Sequence, residues 1–532
     1  MMNYRLLETS LSDKLGSSLN LSSLASKVLA SKNKAVIKDF LDYQYQVPTF
    51  DMMDLAVKMI QESMSKNESI LILGDYDADG ILATSILKKT FEMLGYPHIH
   101  YYIPNRLSDG YGINVDQVGK AKLKGIDLII TVDNGINAVE AITKALELNI
   151  KVIISDHHKP NEEYIAGVAY IHPALSNLDY PISGGMVAYY MSCALLGYED
   201  DYLLSLACVT TISDVMPIIK GNRKLVRKGL SIINKMHYPS IELLANGFID
   251  SSMIGTIISP KINSLGRLPD YYNPNHLVEY FTTSNFSLLQ SYALEIEEVN
   301  KQRKELSNAF YEKHKQDDFE EKVLFIHDND LHEGVIGLLA TRFSNEYNCI
   351  TIIATDNDQE YKASLRSVDG INIFDIVDSN PSLFLRYGGH NMAMGLSFEK
   401  EKMDDILEAF NQHLHDIEIK AKSYDVIEID ASELSVDSVK DLRRLEPYGH
   451  SFEQGHFLLK DGIVCGIKKL SGGLHHKVDV LYKENHLEMM FFFSQDLDLM
   501  INDRIDVIVN VGINSFRNKE SVSCIVENYD KK

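Results

Sequence analysis

The stretch SILILGDYDADGILATSILKKTFEML, residues 69–94, sets two periodicities side by side with an acidic turn between them. SILIL at 69–73 is a short apolar run without polar alternation, the pattern of a strand buried on both faces. From Ile81, ILATSILKKTFEML returns to apolar spacing of helical period. DYDADG at 75–80 places Asp75, Asp77 and Asp79 at alternate positions. At a strand end they converge only if the backbone turns, and Gly80 is expected to supply the freedom for that turn.

The same alternation extends outward. FDMMDLAVKMIQESMSK, from Phe50, has helical spacing upstream. Downstream come strands HIHYYI (98–103) and DLIITV (127–132), helix AVEAITKALELN (138–149) and strand KVIIS (151–155). Strand–helix repetition predicts a parallel sheet with right-handed crossovers. Acidic or histidine-bearing turns follow three strands: the DYDADG turn, Asp133, and Asp156, His157 and His158. Such turns share the carboxyl edge of a parallel sheet, where ligands bind.

GGMVAYYMSCALLG and LLSLACVTTISDVMPI, within 184–218, read as two helices, the second ending near Asp214. A long helical pattern runs from Ser284 to Lys315, and VLFIHD at 323–328 restarts strand–helix alternation, which ends at GGHNMAMGLSF, 388–398. The final stretch is strand-rich and predicts a small β-barrel or sandwich, with an OB-fold as one option. The expected divisions are a polar N-terminal extension (1–45), an α/β domain (46–283), a connecting helix (284–318), a second α/β domain (319–420) and the β-rich domain (421–532).

Composition bounds the classes. At ~150 residues per domain, 532 residues suggest three or four domains. With 45% apolar and 24% charged residues, the chain is neither disordered, collagen-like nor a disulfide scaffold. No apolar run approaches the ~18 residues of a membrane span, and MMNYRLLETSLSDKLGSS lacks a secretory pattern. Five single cysteines without a CxxC pair suit a reducing cytoplasm and argue against structural zinc. The net charge of −23 excludes a general basic coat for nucleic acid while leaving room for a local basic groove.

Hard carboxylate oxygens suit Mg²⁺ or Mn²⁺, and an imidazole moves the preference toward Mn²⁺. Asp133 in TVDNG, His157 and His158 in SDHHKP, and Asp214 in ISDVMP can complete a cluster for two divalent ions with the DYDADG aspartates. A lone Asp more often caps a helix or turn. Four such motifs in order point to a site instead.

DYDADG, TVDNG (131–135), DHH (156–158) and SDV (213–215) resemble the DHH phosphoesterase superfamily. Within it the chain is similar to the RecJ family of single-strand-specific exonucleases, through IPNRLSDGYG (103–112), GNRKLVRKGL (221–230), PKINSLGRL (260–268) and VNKQRKEL (299–306). HEGVIGLLATR (332–342), SLRS (364–367), GGHNMAMGLSF and LEPYG (445–449) extend the likeness, which covers 46–532. The resemblance implies an α/β fold with a two-lobed core: a parallel-sheet DHH domain and a smaller α/β DHH-associated domain joined by a long helix. A C-terminal β-rich OB-like domain completes it.

By the same resemblance, Asp77, Asp79, Asp133, His157 and Asp214 ligate two divalent ions, Mn²⁺ or Mg²⁺, with Asp75 ligating or supporting them. Asp156 orients the site, and His158 contacts the scissile phosphate, donates a proton or ligates. Arg106, Asn263, Arg267, Ser364, Arg366 and His390 become phosphate or sugar ligands, with Ser364 and Arg366 at the terminal 5′ phosphate. The implied activity is 5′-to-3′ hydrolysis of single-stranded DNA to mononucleotides, in repair and recombination, through a channel too narrow for a duplex. Single-strand-binding protein or a helicase would be the partners, and a membrane would not be involved. Two features depart from the family: Lys261 stands where arginine is usual, and HSFEQGHF after LEPYG lacks the usual Asn-Pro. The alternatives are a DHH phosphodiesterase for short RNA or cyclic dinucleotides, usually a shorter chain, and an inactive DHH-fold replication accessory protein. The retained acidic and histidine motifs argue against the latter.

Overall fold

Strand Ile70–Leu73 lies inside an all-parallel five-stranded sheet ordered Ile99–Tyr102, Ile70–Leu73, Leu128–Val132, Lys151–Ser155, Ala169–Ile171. The computed structural model describes residues 2–42, 47–161, 164–176, 178–316, 319–357, 360–495, 497–516 and 519–532. The boundary expected at 45/46 falls on residues outside these, as does the residue before that expected at 318/319.

The chain places its second strand on one side of Ile70–Leu73 and its third on the other. Strand order therefore reverses between Ile70–Leu73 and Leu128–Val132, which opens a crevice at their carboxyl ends. DYDADG leaves the first strand of this pair and TVDNG the second. Asn134 ties the two ends together, its side-chain amide donating to the carbonyls of Leu73 (3.1 Å) and Val132 (2.9 Å). Ile70, Ile72, Leu128, Ile129, Ile130 and Val132 are buried. At about 1.5–3 kcal/mol for each fully buried side chain, this core offsets the cost of gathering carboxylates at its edge.

Helix Ala78–Met93 begins directly after the strand, with Asp77 as its N-cap. Its Ile81, Leu82, Ala83, Ile86, Leu87 and Phe91 are buried, so it is an interior helix that packs on Gly184–Leu196 and Asp201–Ser213. Gly80 sits within its first turn, not at a bend before it. The residue is small because a Cβ there would lie 2.5 Å from the Asp75 amide nitrogen, so close packing, not turn freedom, is the reason for glycine.

The helix read from Ser284 to Lys315 spans Phe286–His314 and leads to strand Val323–His327. That strand edges a mixed sheet ordered Arg386–His390, Ala393–Glu399, Glu360–Arg366, Ile350–Asn357, Val323–His327. Ile350, Ile352, Leu365, Phe398, Ile406 and Phe410 form its core. Both sheets belong to one compact unit, Val47–Met216 with Lys228–Lys420.

The second unit joins Met1–Gln46, Pro217–Arg227 and Ala421–Lys532. Strands His456–Leu470, His475–Tyr482, Asn485–Phe491, Lys519–Lys531 and Arg504–Phe516 pair in that order, and the last pairs back with the first. The result is a closed five-stranded barrel, the OB-type option. Where the sequence suggests a free polar extension, Tyr4–Leu6 instead adds a parallel strand to Tyr424–Glu428, which continues onto the barrel. Its backbone groups need partners, and the exposed edge of Tyr424–Glu428 supplies them. GNRK at 221–224 also belongs here. The Arg223 guanidinium donates to the carbonyls of Leu445 and Pro447, and lies 3.9 Å from the Phe452 ring centre. LEPYG and GNRK, far apart in sequence, are thereby brought into contact.

Candidate active site

Asp75, Asp79 and Asp133 are each 2% exposed at the crevice, and backbone geometry aims them. Asp77 turns back to accept the N–H groups of Asp79 (3.0 Å) and Gly80 (3.1 Å). Asp79 projects across to the start of helix Gly184–Leu196, accepting from the N–H groups of Gly184 and Gly185, both at 2.7 Å. A helix N-terminus is a natural seat for a carboxylate. Only glycine fits at 184, since a Cβ would come within 2.5 Å of Asp133 Oδ1. Asp133 adopts a left-handed backbone, φ 61°, which swings its carboxylate into the crevice.

His157 Nε2 faces three of these carboxylates at once, 3.0 Å from Asp133, 3.5 Å from Asp214 and 3.7 Å from Asp79. Three sets have ligand atoms within 4.8 Å of one another: Asp75/Asp77/Asp133, Asp79/His157/Asp214 and Asp133/His157/His158. Shared Asp133 and His157 make them one connected cluster. Asp75 Oδ1, Asp133 Oδ1 and Asp214 Oδ2 are buried without a hydrogen-bond partner among the described residues. A buried unpaired carboxylate oxygen is costly, and a divalent cation removes that cost.

The electrostatics separate the groups. Burial and repulsion from Asp77 push Asp79 up to about 7, against the two glycine N–H groups. Burial with the charges of Asp79 and Asp77 pushes Asp214 up to about 8. Asp75 and Asp133 also rise well above the ordinary carboxylate range, through burial and then neighbouring aspartates. Asp156 goes the other way. Burial works to raise it, but the His158 hydrogen bond and charge and the Ile136 N–H outweigh that and lower it. It accepts from the N–H groups of Ile136 (2.9 Å), His157 (2.7 Å) and His158 (3.1 Å) and lies 2.8 Å from His158 Nδ1. Burial, then the His158 charge, brings His157 down to about 4. Burial would lower His158 too, yet bonding to Asp156 prevails and lifts it to about 9.

Beyond His158 opens a groove of about 890 Å³ lined by Tyr76, Arg106, Tyr111, His158, Arg267, Ser364 and Arg366. Arg366 is held by Ser364 Oγ (2.8 Å), the Leu365 carbonyl (2.9 Å) and Thr341 Oγ1 (3.1 Å). Burial, followed by the charges of Arg106 and Arg303, lowers Arg267 to about 10. Among the described residues, Arg106, Arg267 and Arg366 have no carboxylate within salt-bridge distance, whereas Lys362 pairs with Glu333 and Arg386 with Glu360. Gathered, half-buried cations without counter-ions form an anion site.

The twelve metal and substrate candidates from the sequence do not all arrive here. Asn263 uses its side-chain oxygen on the Ala78 N–H at 2.7 Å, so it braces the DYDADG turn. His390 is exposed at the end of its strand and does not line the groove. Lys261 bonds the Leu244 carbonyl (2.8 Å) and Glu297 (2.5 Å). One contributor, His172, escaped sequence reasoning, and Tyr111, a candidate for base stacking or core packing in the sequence, contacts His158 instead. The His172 ring donates from Nε2 to the His158 carbonyl at 2.7 Å and accepts the Ala174 N–H at Nδ1, which fixes its tautomer. It follows strand Ala169–Ile171, so the turn rule that found the other residues also reaches it. Tyr111, which by itself resembles a core aromatic, brings its hydroxyl 3.2 Å from the His158 ring nitrogens and 3.1 Å from the Asp133 carbonyl.

A parallel sheet with buried aspartates and a DHH turn at its switch point defines a DHH-type phosphoesterase. The chain matches family models described as the DHH family, N-terminal domain (69–211), the DHHA1 domain (320–416) and the RecJ OB domain (426–528). It is 30% identical to the single-stranded-DNA-specific exonuclease RecJ of Salmonella typhimurium, covering 80% of each chain. The chain therefore belongs to the RecJ family. The Bacillus subtilis relative of the same name is 28% identical over 89% of this chain, which spans 62% of that longer protein. Thermus thermophilus RecJ, crystallised with Mn²⁺, shares the fold with a TM-score of 0.86 at 24% identity, over 100% of this chain and 80% of the other. The same protein has been crystallised with Mg²⁺, with a TM-score of 0.80 at 23% identity, over 100% of this chain and 79% of the other.

Proposed function

We infer that the chain is a metal-dependent phosphodiesterase, a RecJ-like exonuclease that hydrolyses single-stranded DNA from the 5′ end. The observation that carries this is the position of His158, bonded to the Asp156 carboxylate on one side and lining the arginine groove on the other. Phosphate held by the arginines is thereby presented to the carboxylate cluster.

Asp75, Asp77, Asp79, Asp133, His157 and Asp214 are the ligand set, and their unpaired buried oxygens suit hard divalent cations. Divalent ions, two in this reading and Mn²⁺ or Mg²⁺ in kind, supply an activated water and neutralise charge on the scissile phosphate. His157 stays unprotonated, as a ligand must be. The water oxygen joins phosphorus, the P–O3′ bond breaks, and the 3′ oxygen leaves with the first nucleotide. His158, a cation at neutral pH, contacts the phosphate or returns a proton to that oxygen. Asp156 holds its ring. Arg106, Arg267, Ser364 and Arg366 receive the terminal 5′ phosphate, which sets the register of cleavage. Tyr76 and Tyr111 offer faces for bases without sequence choice.

No helix among the described residues is long and apolar enough to cross a membrane. The five cysteines are free, which supports a reducing cytoplasmic setting. Repair and recombination are the processes such a substrate serves, and single-strand-binding protein or a helicase is the fitting partner.

Product analysis tests the reading. With Mn²⁺ or Mg²⁺, a single strand labelled at its 5′ end should release labelled mononucleotide immediately, and a chelator should stop it. A 3′-labelled strand should shorten progressively. Turnover of dinucleotides with intact long strands would move the assignment to the small-substrate phosphodiesterases, and binding without cleavage to an inactive scaffold.

A further inference from the structure

The barrel unit carries its own group of metal-ligating side chains, distinct from the aspartate cluster in chemistry and in compact unit. Cys465, Asp479 and His486 stand on three adjacent strands, His456–Leu470, His475–Tyr482 and Asn485–Phe491, with one ligand atom each inside a 4.8 Å circle. Register explains the convergence. The ladder shifts between Val464 and Gly466, so Cys465 and Gly466 together oppose Asp479. Such a bulge re-aims a side chain, and Gly466 adds none to compete for the space. On the next strand, His486 pairs with Leu481, two residues from Asp479 and therefore on its face.

His486 Nδ1 lies 3.2 Å from Asp479 Oδ2, and among the described residues Cys465 Sγ is committed only to a 3.5 Å contact with the Ile463 carbonyl of its own strand. A thiolate, an imidazole and a carboxylate make a borderline-soft donor set. It differs from the oxygen-rich cluster of the parallel sheet and favours Zn²⁺ over Mg²⁺ or Mn²⁺. Glu488, opposite Asp479, is engaged by Lys477 at 2.7 Å.

The scattered cysteines argue against structural zinc in the linear sequence, but here strand register adds an imidazole and a carboxylate to a single thiol. We propose that Cys465, Asp479 and His486 form a zinc-class transition-metal site that fastens three strands of the barrel. An ion bound there stabilises the folded barrel, because the unfolded chain does not hold the three donors together. This site is independent of the exonuclease reading.

Cobalt titration of the full-length, chelator-treated protein tests it. Co²⁺ bound to a thiolate gives a near-ultraviolet charge-transfer band that a carboxylate–imidazole centre does not produce. The band should appear with wild-type protein, disappear on adding Zn²⁺, persist in excess Mg²⁺, and be lost in Cys465→Ser and in His486→Gln. With saturating Mg²⁺ present to occupy the aspartate cluster, Zn²⁺ should raise the melting temperature of the wild type by more than that of Cys465→Ser, while Mn²⁺-supported hydrolysis stays unchanged in both variants. Cys465→Ser is nearly isosteric, and its retained hydrolysis reports that it folds. Absence of the band, or a band undiminished in Cys465→Ser, would overturn the site.

Discussion

At the edge of the parallel sheet, Asp75, Asp79 and Asp133 are almost wholly buried and are aimed by helix starts, a left-handed residue and backbone N–H groups. Across the groove, Arg106, Arg267 and Arg366 are long side chains brought from distant segments, and Arg366 rests on Ser364, Thr341 and a carbonyl. Both regions concentrate one sign of charge. The carboxylates are positioned by short turns directly after strands, and pay for proximity with raised proton affinity. Arg267 and Arg366 keep their charge despite burial, because a guanidinium loses its proton only far above neutral pH. The difference teaches that the acidic region gathers buried charge that a divalent cation would neutralise, whereas the basic region gathers charge suited to an anion.

The sharpest way to break this comparison is Asp133→Asn. Hydrolysis should fall by at least about 10²–10³-fold, the scale for losing one charge-stabilising group. The chelator-treated variant should nevertheless melt higher than wild type, since one buried like charge is gone. A lower melting temperature would show that repulsion does not govern the metal-free cluster.

Arg366→Ala should have a smaller effect and a different signature. Loss of a charge-assisted contact worth about 1.5–3 kcal/mol predicts a roughly 10–100-fold weaker use of 5′-phosphorylated strands. The salt dependence of binding should flatten by about 0.7 in log–log slope. An unchanged preference for the 5′ phosphate would remove Arg366 from the terminal-phosphate contact.

The smallest effect is on melting against pH in the absence of metal. Asp79 and Asp214 have folded values raised to about 7 and 8, so their stabilising contribution is complete below the ordinary carboxylate range and is lost as pH rises through those values. His158, raised to about 9, loses its contribution in the same direction. Scanning calorimetry should show the melting temperature of chelator-treated protein falling by roughly a few °C from pH 7 to 9. Divalent cation should flatten that slope, because the ligands are then held deprotonated. A slope of opposite sign would mean that other titrating groups dominate the cluster.

Much of the acidic region was legible because its parts are local. DYDADG, TVDNG and DHH each follow a strand, and the strand pattern alone places them on one edge. Gly80 was misread for a reason that a linear chain hides: its close neighbour is the Asp75 backbone, across a helix start. Asn263 and His390 both sit in family-like motifs, yet Asn263 braces Ala78 and His390 stays outside the groove. Spacing tells that a polar residue is near a site and not which partner its side chain takes.

By itself, the sequence determined the sheet type, the residue types of the candidate metal site and the family, since all three follow from strand period and from motifs a few residues long. Tertiary structure alone decided the rest. It placed Tyr111 and His172 on His158, folded Tyr4–Leu6 into the barrel unit, clasped GNRK to LEPYG, and turned Cys465 toward Asp479 and His486. These are contacts between residues far apart in the chain, or side-chain directions set by a bulge. Their energies depend on which surfaces pack together, and no local periodicity encodes that.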